Sequence, residues 1–405
     1  MDLTFGPQED AFRAEVRKFF AEHLPLDVAK RQRSGFLTTS QDMRAWQQIL
    51  FTRGWGAPAW PVRYGGTGWS PVQRYIFDDE TGAHDAPDPS PVGVNLVGPV
   101  IYSFGSEAMK GKYLDAILRG EILFCQGFTE PGAGSDLARL KTEAIPCADG
   151  FLISGSKIWI SDAHFADRMI CLARTSKEAK PQAGLSMFIV SLRAPGVTVR
   201  PIRSINGESV INEVFLDEVR VTHEDLVGEI NQGWSYTKFL LTHERTRNAS
   251  VPRIKRDIAL VRQRANARDA IGRNPIGDPY FLHRLAQLEI EVAALDWAVL
   301  RAFMSDGTSP TRDAAAASAL KIRGSELLLQ VSELKMELLG DDVLPFLPGP
   351  QDLPCETAPI DYDDDSHGVT SQYLYRRAST IFGGTNDIQR SLIWKNVIAD
   401  GSFES

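Results

Sequence analysis

The most informative segment of this 405-residue sequence is Phe124-Cys125-Gln126-Gly127-Phe128-Thr129-Glu130-Pro131-Gly132-Ala133-Gly134-Ser135-Asp136. An apolar run with strand propensity ends at a threonine, and a proline and two glycines then form a turn with few side chains. Bare backbone N–H groups in such a turn can bind an anion, and a pyrophosphate is a common ligand. A polar surface turn between two strands uses the same residue types, so this segment alone leaves both interpretations open.

Two further segments make the pattern specific. One reads Gly155-Ser156-Lys157-Ile158-Trp159-Ile160-Ser161, and the other reads Ile381-Phe382-Gly383-Gly384-Thr385-Asn386-Asp387-Ile388-Gln389-Arg390. Together the three segments resemble the acyl-CoA dehydrogenase family, whose flavin-binding domain has a T-E-P-x-x-G-S-D loop followed by a G-x-K-x-W-I-[ST] strand. The likeness covers nearly the whole chain, and within the family it is strongest to the large-subunit branch of the pimeloyl-CoA dehydrogenases.

The composition is that of a globular protein with a large core, since 43% of the residues are apolar. A net charge of -8 and the lack of a basic run argue against nucleic acid as a partner. The four cysteines, Cys125, Cys147, Cys171 and Cys355, form no C-x-x-C pair, so we expect neither disulfides nor a metal site. The N-terminus has no signal-peptide pattern and no apolar segment approaches about 18 residues, which predicts a cytoplasmic protein without a membrane span.

The periodicity of apolar residues divides the chain into three domains, 1–122, 123–232 and 233–405. The predicted helices of the first, all-α domain cover Glu9–Glu22, Asp42–Thr52, Val72–Gly82 and Glu107–Leu118. The predicted strands of the second, an antiparallel β-barrel or sandwich, cover Phe151–Ile160, Met169–Ala173, Ser186–Leu192, Val197–Ile202 and Glu213–Leu216. The third has helical spacing throughout and is predicted as a bundle of four or five helices. This order is the acyl-CoA dehydrogenase-like fold that the resemblance implies.

The resemblance also implies FAD as the cofactor and assigns residues to it by position. The residues so assigned are Gln126, Phe128 and Thr129 against the isoalloxazine ring, Gly134 and Ser135 near the pyrophosphate, Trp159 over the ring, Ser161 near N5, and Thr385 from the C-terminal domain.

The implied reaction is α,β-dehydrogenation of an acyl-CoA thioester to the trans-2-enoyl-CoA. It needs a base for the α-proton, a hydride acceptor, and donors for the thioester oxygen. Many family members have the base glutamate at the position of Gly383, and a glycine cannot take a proton. Isovaleryl- and long-chain-type members carry it on a helix after the β domain, within a Glu-Arg pair that Glu244-Arg245 matches. We therefore predict Glu244 as the base, Arg245 as its electrostatic partner and the Gly383 N–H as a donor to the thioester oxygen. A Glu-Arg pair on a helix surface is the structural alternative.

The implied partners are an acyl-CoA substrate, an electron-transfer flavoprotein and further subunits of a tetramer. In the family a neighbouring subunit holds the adenosine half of FAD through R-x-x-F-G and Q-[IL]-x-G-G segments. Here these read Arg273-Asn274-Pro275-Ile276-Gly277 and Glu337-Leu338-Leu339-Gly340-Asp341, so Arg273 remains while the aromatic residue, the glutamine and the second glycine are lost. Acidic groups near a pyrophosphate would repel it. We expect either a heterotetramer with a smaller paralogous subunit or a homotetramer.

Two other functions stay open. An acyl-CoA oxidase or flavin monooxygenase on the same fold would differ mainly in how the reduced flavin meets oxygen, and a scaffold subunit with a relic flavin site is suggested by Gly383 alone. The pimeloyl-type likeness indicates a dicarboxyl- or ring-bearing acyl group.

Overall fold

The structure, a computed structural model, describes residues 5–35, 38–244, 249–266, 274–304, 310–343 and 366–398, with the backbone alone for 242–244, 310 and 398. Before the first strand, the described residues form six α-helices: α1 Pro7–His23, α2 Leu26–Arg33, α3 Ser40–Arg53, α4 Pro71–Ala83, α5 Gly98–Phe104 and α6 Glu107–Leu118. The predicted all-α N-terminal region is confirmed. The sequence pattern missed α2 and α5, because α2 is short and mostly polar and α5 opens on Gly98-Pro99, a pair that suggests a break although proline is tolerated in a first helical turn.

The middle of the chain forms one sheet of seven strands: β1 Phe124–Gly127, β2 Glu143–Cys147, β3 Gly150–Ser161, β4 Arg168–Arg174, β5 Leu185–Ser191, β6 Val197–Ile202 and β7 Ile211–Thr222. The strand order is β1-β4-β2-β3-β7-β6, with β5 paired to β4. The predicted β domain is confirmed, with one correction to its antiparallel character. β4 has two parallel neighbours, β1 along its length and β2 at the Glu143–Arg174 pair, which the long connections between these strands permit.

The rest of the described chain is helical again, with α7 Gly233–Glu244, α8 Val251–Ala265, α9 Pro279–Phe303, α10 Pro310–Leu339, α11 Val369–Arg376 and α12 Asn386–Ile393. One face of α9 is buried from Leu285 to Val299 against α10, as its three- and four-residue spacing predicts. The predicted C-terminal helical bundle is therefore confirmed, but the described residues form six α-helices here and not four or five, because α11 and α12 are short helices of eight residues each. None of the described helices is long and apolar enough to cross a membrane.

Three large hydrophobic cores hold these parts together, and a fourth, small cluster joins Leu339 and Val343 to Val369. The first joins the N-terminal helices to the C-terminal bundle, so that Phe20 and Trp46 share a core with Ile254 and Leu327. The second lies between one face of the sheet and α5, α6 and α7, and the third lies on the opposite face of the sheet. The sheet is thereby fixed against both helical regions. Two of the three segments singled out in the sequence lie at β1 and β3, and the third lies at the start of α12.

Candidate active site

The loop after β1 presents open backbone at two glycines. A Cβ atom added at Gly132 or at Gly134 would meet no heavy atom within 4 Å, and neither residue has a positive φ. Nothing within the described chain therefore requires glycine at these positions, whereas a ligand lying against the backbone would require it. Ser135 is exposed beside them.

A buried ion pair connects this loop to β3. The Lys157 ammonium lies 2.8 Å from a Glu130 carboxylate oxygen, and the two side chains are 0% and 6% exposed. The same carboxylate accepts hydrogen bonds from the backbone N–H groups of Lys141 (2.6 Å) and Thr142 (2.9 Å). Burial raises the pKa of Glu130, but the Lys157 charge and these hydrogen bonds outweigh it, so the pKa lies below its usual range.

Trp159 projects from β3 in an unusual backbone conformation. Its φ is +60°, a left-handed value that costs a non-glycine residue about 1 kcal/mol or more. The pairing of β3 with β7 shifts register between Lys157 and Ile160, which turns the Trp159 side chain outward and leaves it 57% exposed. A large apolar side chain held exposed at the expense of strain is typical of a functional site.

The turn before α12 contains two consecutive left-handed glycines, with φ +66° at Gly383 and +82° at Gly384. The Gln389 side chain donates a 3.2 Å hydrogen bond to the Gly383 carbonyl, and the Thr385 hydroxyl caps α12 by accepting from the Ile388 N–H. The Gly383 N–H donates to no acceptor among the residues that the structure describes. The turn thus offers a backbone donor in a fixed position and, at Gly383, no side chain that could take a proton.

Tyr375 of α11 links the turn to the end of β3. Its ring lies 6.3 Å from that of Phe382, the residue before Gly383. Burial raises the pKa of the Tyr375 hydroxyl to about 12, and the nearby charge of Asp162, which follows Ser161, adds to the rise. Tyr375 therefore contacts the residue before Gly383 and lies within the electrostatic reach of Asp162 at the end of β3.

The other predicted site residues fall into three groups. Gln126 is half-buried in β1, and the Thr129 carbonyl accepts a 2.9 Å hydrogen bond from the Ile158 N–H, next to Trp159. The Phe128 side chain is 4% exposed within the second core, so a contact with a cofactor there would be made by its main chain. Glu244 is the last residue of α7, while Arg245 and Arg273, like Cys355, lie outside the described residues.

Family models match three parts of the chain: the acyl-CoA dehydrogenase N-terminal domain at residues 6–121, the middle domain at 125–219 and the C-terminal domain at 231–398. The chain belongs to the acyl-CoA dehydrogenase family. It is therefore an oxidoreductase that acts on acyl-CoA thioesters, with FAD as its cofactor.

Several relatives match this dehydrogenase over nearly its whole length. The acyl-CoA dehydrogenase IpdE1 of Mycobacterium tuberculosis is 33% identical over 404 residues, which cover 96% of this chain and 97% of that protein. Among solved structures, the Tcur3481-Tcur3483 steroid ACAD has a TM-score of 0.82 at 31% identity and covers 99% of each chain. A chain of the ChsE4-ChsE5 complex from Mycobacterium tuberculosis has a TM-score of 0.80 at 30% identity, again with 99% of each chain covered.

The residues of this acyl-CoA dehydrogenase fit FAD. The loop glycines leave the space that a pyrophosphate against bare N–H groups requires, and the exposed, strained Trp159 provides a flat apolar surface for a ring. The sequence reasoning missed the residues that support this surface. Glu130 is an invariant position of the T-E-P-x-x-G-S-D motif, and Lys157 is an invariant position of the G-x-K-x-W-I-[ST] motif. The opposite charges at these two positions could have indicated that the residues form a pair. Asn212 of β7 donates to the Ile160 carbonyl at 3.0 Å and had no such signal.

Proposed function

We propose that this dehydrogenase converts its acyl-CoA substrate to the trans-2-enoyl-CoA with Glu244 as the base that removes the α-proton. One observation carries the proposal. The turn in which many relatives carry the base has a glycine with φ +66° here, and its N–H donates to no acceptor in the described part of the chain. The proton acceptor must therefore come from another element. Glu244 ends α7, which packs through Leu240 in the core beneath the sheet.

Two groups of this chain act on the substrate, a carboxylate and a backbone N–H. The Glu244 carboxylate takes the proton from Cα, and the Gly383 N–H donates a hydrogen bond to the thioester oxygen, which stabilises the negative charge that develops there. FAD, when bound, supplies the hydride acceptor at its N5. Loss of a proton from Cα and a hydride from Cβ leaves the double bond, and the proton stays on Glu244. Arg245 stabilises the ionised carboxylate before the substrate arrives.

We also propose which residues contact FAD. The loop and strand ends that present open backbone, exposed rings or hydroxyl groups support this assignment. The residues are Gln126, Thr129 and the main chain of Phe128 at the ring, Gly134 and Ser135 at the pyrophosphate, Trp159 and Ser161 at the ring face and N5, Thr385 from the C-terminal domain, and Arg273 toward the adenosine half.

The domain limits that we propose are 1–122, 123–232 and 233–405. They rest on the change from helix to strand between α6 and β1 and on the return to helix at α7.

For the acyl group we propose a ring-bearing or dicarboxylic chain, with an electron-transfer flavoprotein as the electron acceptor. One of the similar solved structures is described as a steroid ACAD, which supports the ring-bearing class.

We further propose that the chain is the large subunit of a heterotetramer. Two similar solved structures carry paired names, Tcur3481-Tcur3483 and ChsE4-ChsE5, and the second is described as a complex. At the position where the family motif has a glutamine, this chain has Glu337, which forms a surface ion pair with Arg284 of α9.

Glu244→Gln tests the base. We expect the variant to bind FAD normally but to lose turnover by at least about a hundredfold, because a positioned base contributes at least that much. The measurement is anaerobic bleaching of the flavin absorbance by a panel of straight, branched, dicarboxylic and ring-bearing CoA esters. Glu229→Gln, on the exposed loop before α7, is the matched control and should bleach like the wild type. Near-normal bleaching by Glu244→Gln would remove Glu244 from the mechanism.

A further inference from the structure

Lys157 makes a complete set of hydrogen bonds inside the protein. Its ammonium donates to the Glu130 carboxylate at 2.8 Å, to the Leu172 carbonyl of β4 at 2.8 Å and to the Phe128 carbonyl at 3.3 Å. An ammonium group has three donors, and all three are used. Lys157 therefore joins three segments, β4, the end of β1 and the loop, from its position on β3.

Glu130 completes the connection at the far end of the loop. Its carboxylate accepts the N–H groups of Lys141 and Thr142, and its own backbone forms a two-bond bridge with Ala133 (3.0 and 3.1 Å). The segment from Phe128 to Thr142 is thus closed on itself around one carboxylate and one ammonium. Gly132, Gly134 and Ser135 lie inside this closed loop.

The pair also fixes the loop relative to Trp159. In a regular strand residues 157 and 159 would share one face, yet Lys157 is fully buried and Trp159 is 57% exposed. The register shift and the left-handed φ at Trp159 separate the two side chains, so the inward-pointing lysine holds the loop while the indole, two residues later, points out. The Ile158 N–H, between them, donates to the Thr129 carbonyl and adds a second link between strand and loop.

We propose that Lys157 and Glu130 are positioning residues for FAD: their ion pair sets the separation between the loop 129–135 and the Trp159 indole, and so the affinity and environment of the bound flavin. The proposal rests on the placement of FAD between these two segments that is proposed above. Neither residue touches the reacting atoms. An ion pair whose members have partners on four segments fixes one arrangement, because alternative positions would leave a buried charge without a partner.

The test compares Glu130→Gln, the double variant Lys157→Met/Glu130→Gln and the control Glu80→Gln. In the double variant both charges are removed, so no unpaired charge is buried. If Glu130→Gln is too unstable to purify, the double variant can be used for the same measurements. Glu80 is a similarly buried carboxylate whose partners Arg13 and Arg17 lie among the N-terminal helices and are more exposed than Lys157. Its loss therefore reports the cost of removing a buried carboxylate far from the loop. For each protein we would measure the FAD dissociation constant after reconstitution, the visible absorption of the bound flavin, the Tm, and amide hydrogen exchange in the FAD-free protein.

Loss of one charge-assisted hydrogen bond corresponds to about a tenfold change in an equilibrium constant, so we expect both loop variants to bind FAD at least about tenfold more weakly. Their Lys141 and Thr142 amides should exchange faster even without FAD, and the flavin absorption band should shift. Glu80→Gln should lower the Tm and leave the FAD dissociation constant and these two amides unchanged. Loop variants that lose Tm but bind FAD like the wild type would overturn the proposal. A wild-type protein that takes up no FAD even when it is co-expressed with a smaller paralogous subunit would contradict the FAD site itself and, with it, the role of the pair.

Discussion

Glu208 is a buried carboxyl group at the contact between the middle sheet and the C-terminal helices. It lies on the loop between β6 and β7 and is 2% exposed, and the Ser371 hydroxyl of α11 donates a 3.0 Å hydrogen bond to it. Burial raises the pKa of Glu208 to about 7, although the bond from Ser371 favours the charged form. The native protein therefore keeps this group protonated over a pH range in which the unfolded chain releases the proton.

This shift predicts a stability that falls as the pH rises. The carboxyl pKa is 4.5 in the unfolded chain and about 7 in the native protein, so the penalty is absent below about 4.5 and is complete above about 7. Between those limits the free energy of unfolding should drop by about 3 kcal/mol. Glu208→Gln should remove that part of the pH dependence in urea denaturation at pH 5 and pH 8. The exposed control Glu218→Gln should keep the wild-type slope. Equal slopes for all three proteins would show that Glu208 does not titrate in this way.

At the scale of single residues, the sequence predicts positions better than it predicts conformations. The motif before α12 already identifies Gly383 as a residue without a side chain to act as base. The alternation of a regular strand, by contrast, would give Lys157 and Trp159 the same exposure, and only the backbone of β3 shows that they are separated. The pairing of Lys157 with Glu130 depends on that same irregularity.

Among the elements, α8 is connected to its neighbours by buried charges. Asp257 is fully buried and accepts hydrogen bonds from Arg256, at 2.7 Å, and from Arg376 of α11, at 2.5 Å. Arg256 also bonds Asp85, in the segment after α4, at 3.1 Å. Burial opposes ionisation of Asp257, but the two guanidinium groups outweigh it and hold the pKa of the carboxyl well below its usual range.

Asp257→Asn should therefore destabilise the protein strongly. The asparagine keeps the shape of the side chain but leaves the buried Arg376 guanidinium without its carboxylate partner and Arg256 with Asp85 alone. Breaking a buried pair in this way typically costs about 3–5 kcal/mol. Chemical denaturation at neutral pH measures the change in the free energy of unfolding. Asp115→Asn, which breaks the exposed pair with Arg119 on α6, is the control and should cost no more than about 1 kcal/mol. A loss of similar size in both variants would mean that the buried pair contributes no more than a surface one.

The elements themselves follow largely from the sequence. The predicted helices for α1, α3, α4 and α6 agree with the observed ones to within two residues at either end, because each has a clear apolar spacing and a cap or breaker at its ends. β2 was missed because, of its five residues, only Ala144 is buried, which leaves little alternation to recognise. The parallel pairing of β1 with β4 joins segments about 40 residues apart in the chain, and no local pattern encodes it.

Over the whole molecule, the first and last thirds of the chain share a single core. The apolar stripes of α1, α9 and α10 are readable in the sequence, but a stripe does not say which other stripe it will face. The sequence therefore predicts two separate helical domains. In the structure their apolar faces pack together in one core, and helices from both regions also pack on the sheet.

An exposed apolar face of α9 bears on how the chain assembles. The face of α9 that points away from the core exposes large apolar side chains, with Ile290 71% and Trp297 42% exposed, as a surface covered in an oligomer would. Expressed alone, the chain should fail to form a stable tetramer with one FAD per chain, because the segment around Glu337 lacks the family's adenosine-binding residues. Light scattering combined with flavin absorbance measures both quantities. Co-expression with a smaller paralogous subunit should restore FAD and turnover, whereas a stable, fully active homotetramer would refute the heteromer.

The two left-handed glycines before α12 also bear on how such an enzyme can evolve. On the proposed mechanism, a mutation that returned a glutamate to position 383 would place a β-carbon where φ is +66°, at a cost of about 1–2 kcal/mol, while Glu244 still performed the reaction. An intermediate ancestor would have carried either two competing carboxylates or none. On this mechanism the Gly-Gly turn makes position 383 a costly place for any side chain, so a single substitution there would not simply restore a second catalytic carboxylate.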